Sequence, residues 1–155
     1  MLLIPDNMQY DLSRFIEAQE SEYWGYSIAI REIKNGRKDS HWIWYIFPQF
    51  REFGHSSMAL HYGLADVNEA REYLSHPVLG SRLREISNAL LEHSGKDIVD
   101  ILGDLDAKKT RSCMTLFDYL SPNDVFGKVL DTFYKGQRGG RTLRTIKRFQ
   151  EESCQ

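Results

Sequence analysis

The sequence predicts an all-α fold: a single compact multihelical domain with an irregular, aromatic-rich connector. Three observations carry this. Turn signals recur along the whole chain, and the apolar spacing between them is helical. Only Trp42 to Phe47 has strand-like composition, and one strand without a partner is no sheet. The 155 residues favour one domain, and a 41% hydrophobic share with eleven glycines is ordinary for a globular chain.

The elements follow in order. Leu12, Phe15 and Ile16 fall at i, i+3 and i+4, so the first helix reads Asp11 to Gln19. The second runs from about Ser21 to Asn35 on Tyr26, Ala29, Ile30 and Ile33, with Gly36 as the left-handed residue after its end. Ser40 to Ser56 is the connector. It is not periodic, holds Trp42, Trp44, Tyr45, Phe47, Phe50 and Phe53, and has room for a short extended piece. Met58, His61 and Tyr62 give a short helix ending at Gly63. Asp66 and Glu69 form a capping-box-like pair for a helix that ends near Leu74. Pro77 suits a first helical position, and Leu79, Leu83, Ile86 and Leu90 make the longest clean stripe, closed by Gly95. A short helix covers Asp97 to Leu102 and stops at Gly103. The next, from about Leu105 to Leu120, turns Cys113, Leu116, Phe117 and Leu120 inward. Ser121 and Pro122 open a helix carrying Val125, Phe126, Val129 and Phe133, with a stop at Gly136. A short basic helix starts at Gly140. The single helical domain is expected to span residues 1–155, with its core over about residues 9–150 and a mobile C-terminal tail.

Several function classes drop out. The longest unbroken apolar run, Trp42 to Phe47, is too short for a membrane helix. Met1 to Ile4 is apolar, but Pro5 and Asp6 stop it before a signal peptide forms. Cys113 and Cys154 lack metal-ligand spacing and fit a reducing compartment, so the expected location is cytoplasmic and the thiols unbridged. His41, His55, His61, His76 and His93 show no zinc-helix spacing, so no metal is expected. No glycine-rich loop leads into Lys-Ser or Lys-Thr, and no cofactor is expected. The net charge of −2 gives no global pull toward nucleic acid. Lys135, Arg138, Arg141, Arg144, Lys147 and Arg148 form a charge row without an interleaved aromatic platform, so a solvated face is expected rather than a nucleic-acid site. The expected state is a monomer or homodimer.

A core stripe should be apolar, so a polar residue on it is informative. Gln19 closes the Leu12 stripe. Asp106 and Lys109 lie within about 40° of Cys113, on the stripe of Leu116, Phe117 and Leu120. Charges there are paired, hydrated or facing a ligand. In one reading Asp106 complements the helix dipole and Lys109 lifts its ammonium to water. In the other, the helix start is an anion site, with Lys108, Lys109 and Arg111 adding charge and Ser112 and Thr115 adding hydroxyls. The connector poses the same choice. It packs over the core, or His41 and Gln49 line a cleft where Trp42 and Trp44 stack on a flat ligand such as a nucleobase.

The residues also carry a family resemblance. The run Ser40-His41-Trp42-Ile43-Trp44-Tyr45-Ile46-Phe47-Pro48-Gln49 resembles the hallmark of the bacterial domain-of-unknown-function family 1810. Phe15, Ala18 and Gln19 are similar to its opening, and Gly54, Ser56 and Tyr62 to its middle. His76-Pro77-Val78-Leu79-Gly80 with Arg82 and Leu83 resembles its long-helix start. Asp106, Lys109, Ser112, Met114, Thr115, Leu116 and Phe117 resemble its late motif. The resemblance covers roughly residues 9 to 146. It implies a compact, mainly helical domain and no particular activity. Cys113 stands where a second serine is usual, and the C-terminal helix is unusually basic.

The leading functional expectation is binding of a small anionic or nucleotide-like ligand between the connector and the Asp106 helix. His41 or Asp106 would be the general acid or base, and Lys109 the electrostatic stabiliser. Gln19, Gln49, Ser56 and Ser112 would orient the ligand. The alternative is a non-catalytic protein-interaction module whose polar core residues form a structural network.

Overall fold

The computed structural model describes residues 10–154, so the apolar start at Met1 to Ile4 lies outside the described residues. Ten α-helices carry the regular structure there, and no strand forms among the described residues. They are α1 (Ser13–Gln19), α2 (Tyr26–Lys34), α3 (Ile43–Ile46), α4 (Ser57–Tyr62) and α5 (Val67–Ser75), followed by α6 (Leu79–Leu91), α7 (Ile98–Leu102), α8 (Asp104–Leu120), α9 (Val125–Phe133) and α10 (Gly140–Ser153). The all-α expectation holds.

Helix α8 is the central post. It packs against α3, α5, α7, α9 and α10, while α6 packs against α2, α5 and α9. The predicted stripe of α8 faces inward: Cys113, Leu116 and Phe117 are fully buried, as is Met114, and Leu120 is half-buried against the core. Phe117 joins two neighbours through its ring, at 5.7 Å from Tyr73 and 5.8 Å from Phe126. The α6 stripe is buried as predicted, from Leu79 to Leu90. Its start also obeys the sequence. The Gly80 N–H donates to the His76 carbonyl at 2.9 Å, which closes a turn around Pro77 just ahead of the helix, where the missing proline N–H costs nothing. His76 Nδ1 then accepts from the N–H groups of Val78 and Leu79, in the manner of a cap.

Four expectations need correction. Helix α2 begins at Tyr26 rather than near Ser21. The Ser21 hydroxyl accepts from the N–H groups of Tyr23 and Trp24, which favours a turn over a helix. Of the α4 stripe only Tyr62 packs on the core, against Phe15 and Tyr45, while Met58 and His61 are exposed. No α4 residue is buried, and the helix rests on its Ser56 cap, whose Oγ accepts from the Ala59 N–H at 3.1 Å. Helix α9 starts after Asp124, not at Ser121, because Asp124 accepts from the Val125 N–H and the Ser121 hydroxyl. Finally α10 is not short. It reaches Ser153 because Thr142, Thr145 and Ile146 recur on one face and bury against the domain.

The connector is core rather than cover. Trp42, Ile43, Tyr45, Ile46, Phe47 and Phe50 are all buried. The extended piece is a single parallel bridge between Phe50 and Leu64. Arg51 donates its N–H to the Leu64 carbonyl at 2.8 Å, and Leu64 donates to Gln49 at 2.9 Å. Only a glycine at position 63 permits this approach, since a Cβ there would collide with Arg51 backbone.

Candidate functional site

After α2 the chain turns through Gly36, at φ 83°, and the next residues hang on two carboxylates. Glu32 of α2 is buried. It accepts from the N–H groups of Asp39 (2.8 Å) and Ser40 (2.9 Å), from Ser40 Oγ (2.5 Å) and from Trp42 Nε1 (2.9 Å). Burial pushes the Glu32 carboxyl up, but the four donors outweigh burial and hold it below the ordinary glutamate value. Asp106, in the first turn of α8, takes Lys38 Nζ at 2.8 Å and Lys109 Nζ at 3.7 Å. Lys38 also donates to the Ser40 carbonyl and stands 4.9 Å from the Trp42 ring centroid. Lys109 stands 5.6 Å from that of Trp44. The side chains of Lys38, Asp106 and Lys109 are 6%, 17% and 31% exposed. The structure thus gathers Asp106, Lys109, Trp42 and Trp44, and adds Lys38. Asp106 is shared by two cations of the chain itself.

The other candidates lie elsewhere. Gln19 belongs to a core network: its Nε2 donates to the Tyr45 carbonyl (2.8 Å) and Tyr73 Oη (3.1 Å), and its Oε1 accepts from Arg82 (3.2 Å). Burial pushes the Tyr73 phenol up. His41 is exposed. Gln49 is half-buried and uses its carbonyl in the bridge to Leu64. Ser56 is the cap of α4. Among the described residues, no group of three His, Cys, Asp or Glu is arranged to hold a metal ion. No helix there is long and apolar enough to cross a membrane.

Ser112 lines a different feature, a cleft of about 470 Å³ between α7, α8 and the start of α10. At 100° per residue, Ser112 stands about 120° around α8 from Asp106, so the two serve different flanks. The cleft floor is fixed by Thr115. Its Oγ1 donates to the Arg111 carbonyl at 2.7 Å and accepts the Gly139 N–H at 2.9 Å. One wall is Tyr134, whose hydroxyl donates to the Ala107 carbonyl at 2.6 Å. Burial pushes that phenol up. Arg111 donates from Nη2 to the Arg138 carbonyl at 3.0 Å, while its Nε is buried without a partner.

The start of α10 closes the cleft. Its first intrahelical bond runs from the Leu143 N–H to the Gly139 carbonyl at 3.1 Å, and no side chain caps it. The N–H groups of Gly140, Arg141 and Thr142 therefore lack an intrahelical acceptor. Thr142 is 1% exposed, and its buried Oγ1 has no hydrogen-bond partner. Neither glycine here answers to backbone strain, for neither has a positive φ. Packing does not demand them either. A Cβ at Gly139 would meet Thr142 Oγ1 at 3.4 Å, and one at Gly140 would meet only the mobile end of Arg144 at 3.2 Å.

The sequence reading missed Lys38, Glu32 and Thr142. A signal existed for Glu32, an acid beside Ile33 on the α2 stripe. Thr142 was hidden inside the row of cations.

Comparison with known proteins agrees with this architecture. No match is found among curated proteins. The crystal structure of the conserved hypothetical protein Rv1873 from Mycobacterium tuberculosis is similar, with a TM-score of 0.85 and 36% identity. The match covers 90% of this chain and 98% of that one. The model of the family described as protein of unknown function (DUF1810) matches residues 9–146, and the chain belongs to that family.

Proposed function

We propose that the chain binds a small anionic ligand in the cleft between α8 and the start of α10. The observation that carries this is Thr142 Oγ1, a buried hydroxyl without a partner at an uncapped helix N-terminus. Leaving such a group unpaired costs about 1–3 kcal/mol, and a ligand oxygen would offset it. The helix end adds partial positive charge, and Arg111 Nε is a second buried donor without an acceptor. The anion expected from the sequence keeps its chemistry and its helix but changes flank. Asp106 and Lys109 belong to a network that the fold already satisfies, as do Gln19 and Glu32, which supports a structural role for those four. Two free thiols, Cys113 and Cys154, support a reducing, cytoplasmic setting.

The test is thermal melting with and without phosphate or sulfate. The wild type should gain stability with anion, by about 2.7 kcal/mol at a hundredfold excess over Kd. Thr142→Val removes the hydroxyl and keeps the shape, so the apo protein should melt at the same temperature or higher while the anion gain falls. Gly140→Ala should stabilise the apo protein by about 0.4–1 kcal/mol and also weaken the anion effect by crowding the N–H groups. Absence of any anion effect on the wild type would reject the reading.

A further inference from the structure

The cleft is far larger than an inorganic anion requires. Its volume of about 470 Å³ lies within the range of small-molecule sites. Its donors and its apolar surface come from different elements. The donors lie at the start of α10 and on Arg111: the N–H groups of Gly140, Arg141 and Thr142, the Thr142 hydroxyl and Arg111 Nε. Ile98 and Val99 of α7 and Tyr134 bound the same cleft. Val99 is 42% exposed, a β-branched side chain left open in a helix whose Ile98, Ile101 and Leu102 are buried. Asp104, the carboxylate of the lining, is paired with Lys108 at 3.5 Å.

We infer that the ligand is a phosphate monoester with an apolar or aromatic body, its phosphate on the α10 donors and its body against Ile98, Val99 and Tyr134. The inference rests on the anion-site reading above. The donor count selects phosphate over carboxylate. The residues that line the cleft carry five such donors, and the three terminal oxygens of a monoester offer more acceptor sites than a carboxylate's two. Two glycines leave the backbone there without side chains, so a bulkier group can approach it closely. The apolar wall supplies what a free phosphate cannot use. Covering Val99 and part of the Tyr134 ring removes apolar surface from water only when the ligand carries an apolar body.

Isothermal titration of the intact protein with inorganic phosphate, phenyl phosphate and benzoate tests this. Phenyl phosphate should bind at least about tenfold tighter than either other probe. Val99→Ser should bring phenyl phosphate to within about threefold of inorganic phosphate. Equal binding of phosphate and phenyl phosphate by the wild type would overturn the inference and leave the anion site standing. So would benzoate binding as tightly as phenyl phosphate, or a Val99→Ser variant that keeps the full difference. Failure of all three probes to bind would overturn the anion site as well.

Discussion

Replacing Lys38 by methionine removes the ammonium that lies 2.8 Å from Asp106 and keeps most of the stem against Trp42. The Asp106 carboxylate and the Ser40 carbonyl then lose a donor in a place where water has little access. Removing one partner of a buried pair costs about 3–5 kcal/mol. Lys109 offsets part of this from 3.7 Å, so about 2–4 kcal/mol is expected. Lys109→Met is the matched control. Its ammonium is the more exposed of the two and stands beyond hydrogen-bond distance, so the loss should stay within about 1 kcal/mol. Combining Lys38→Met with Asp106→Asn removes the stranded charge. The double variant should recover about 1–2 kcal/mol relative to the sum of the singles. Urea unfolding at neutral pH measures all of these, with an unchanged m-value as the check on two-state behaviour. Equal losses for Lys38→Met and Lys109→Met, or additive singles, would refute the assignment of Lys38 as the principal partner.

Three further outcomes follow from the same network logic. Arg14 donates to Glu69, to the carbonyls of His61 and Gly63, and to Asp11, with Arg14 and Glu69 both buried. Arg14→Met should cost about 3–5 kcal/mol in thermal or urea unfolding, because buried Glu69 is left charged with no cation and only the Ala65 N–H as a donor. The Glu32 carboxyl is held below its ordinary value, so its contribution is present above the unfolded glutamate pKa of about 4.3 and is lost as pH falls through the lower folded value. The stability gap between wild type and Glu32→Gln should therefore be full at neutral pH and shrink below about pH 4, and a gap that widens in acid would contradict the network. Native alkylation should label exposed Cys154 and spare Cys113, whose thiol burial pushes up, and peptide mass mapping reads the difference.

The fold was legible where burial is local and periodic. The stripes of α6 and α8 point inward because leucine, isoleucine and phenylalanine recur at helical spacing, whatever the rest of the chain does. Pro77 announced the α6 start for the same reason, since its effect is local, while no periodicity marked His76 as the cap. The connector was harder. Its aromatics lack a period because α3 is a single turn, and lack of period looks like a loop. What makes it core is Glu32, which accepts the Trp42 indole N–H from ten residues upstream. Arg14 and Glu69 pair across fifty-five residues. One sequence cannot show which acid meets which base at that distance. Asp106 and Lys109 were legible as a pair because i and i+3 share a helix face. Lys38, the closer partner, sits in a turn where no periodicity marks it. Thr142 is apparent only once α10 is seen to bury one face and to begin without a cap.

Helix α8 separates two kinds of polar group that a sequence treats alike. On the flank toward the connector, each identified charge has a partner inside the chain: Asp106 with Lys38 and Lys109, and Glu32 with four donors on the segment that follows α2. Such groups lower the free energy of the empty protein, and truncating them weakens it. On the flank toward α10, Thr142 Oγ1 and Arg111 Nε are buried without acceptors, and two glycines occupy positions that neither backbone nor packing requires. Those features raise the free energy of the empty protein. A binding site carries that sign, because donors held open for a ligand are donors the fold has not used. The sign of the stability change on truncation therefore distinguishes the two flanks more directly than the identity of the residues does. Lysine and arginine occur near both, and their partners differ; Thr110 Oγ1, about 40° around α8 from Asp106, is the buried hydroxyl on the connector flank that also has no partner.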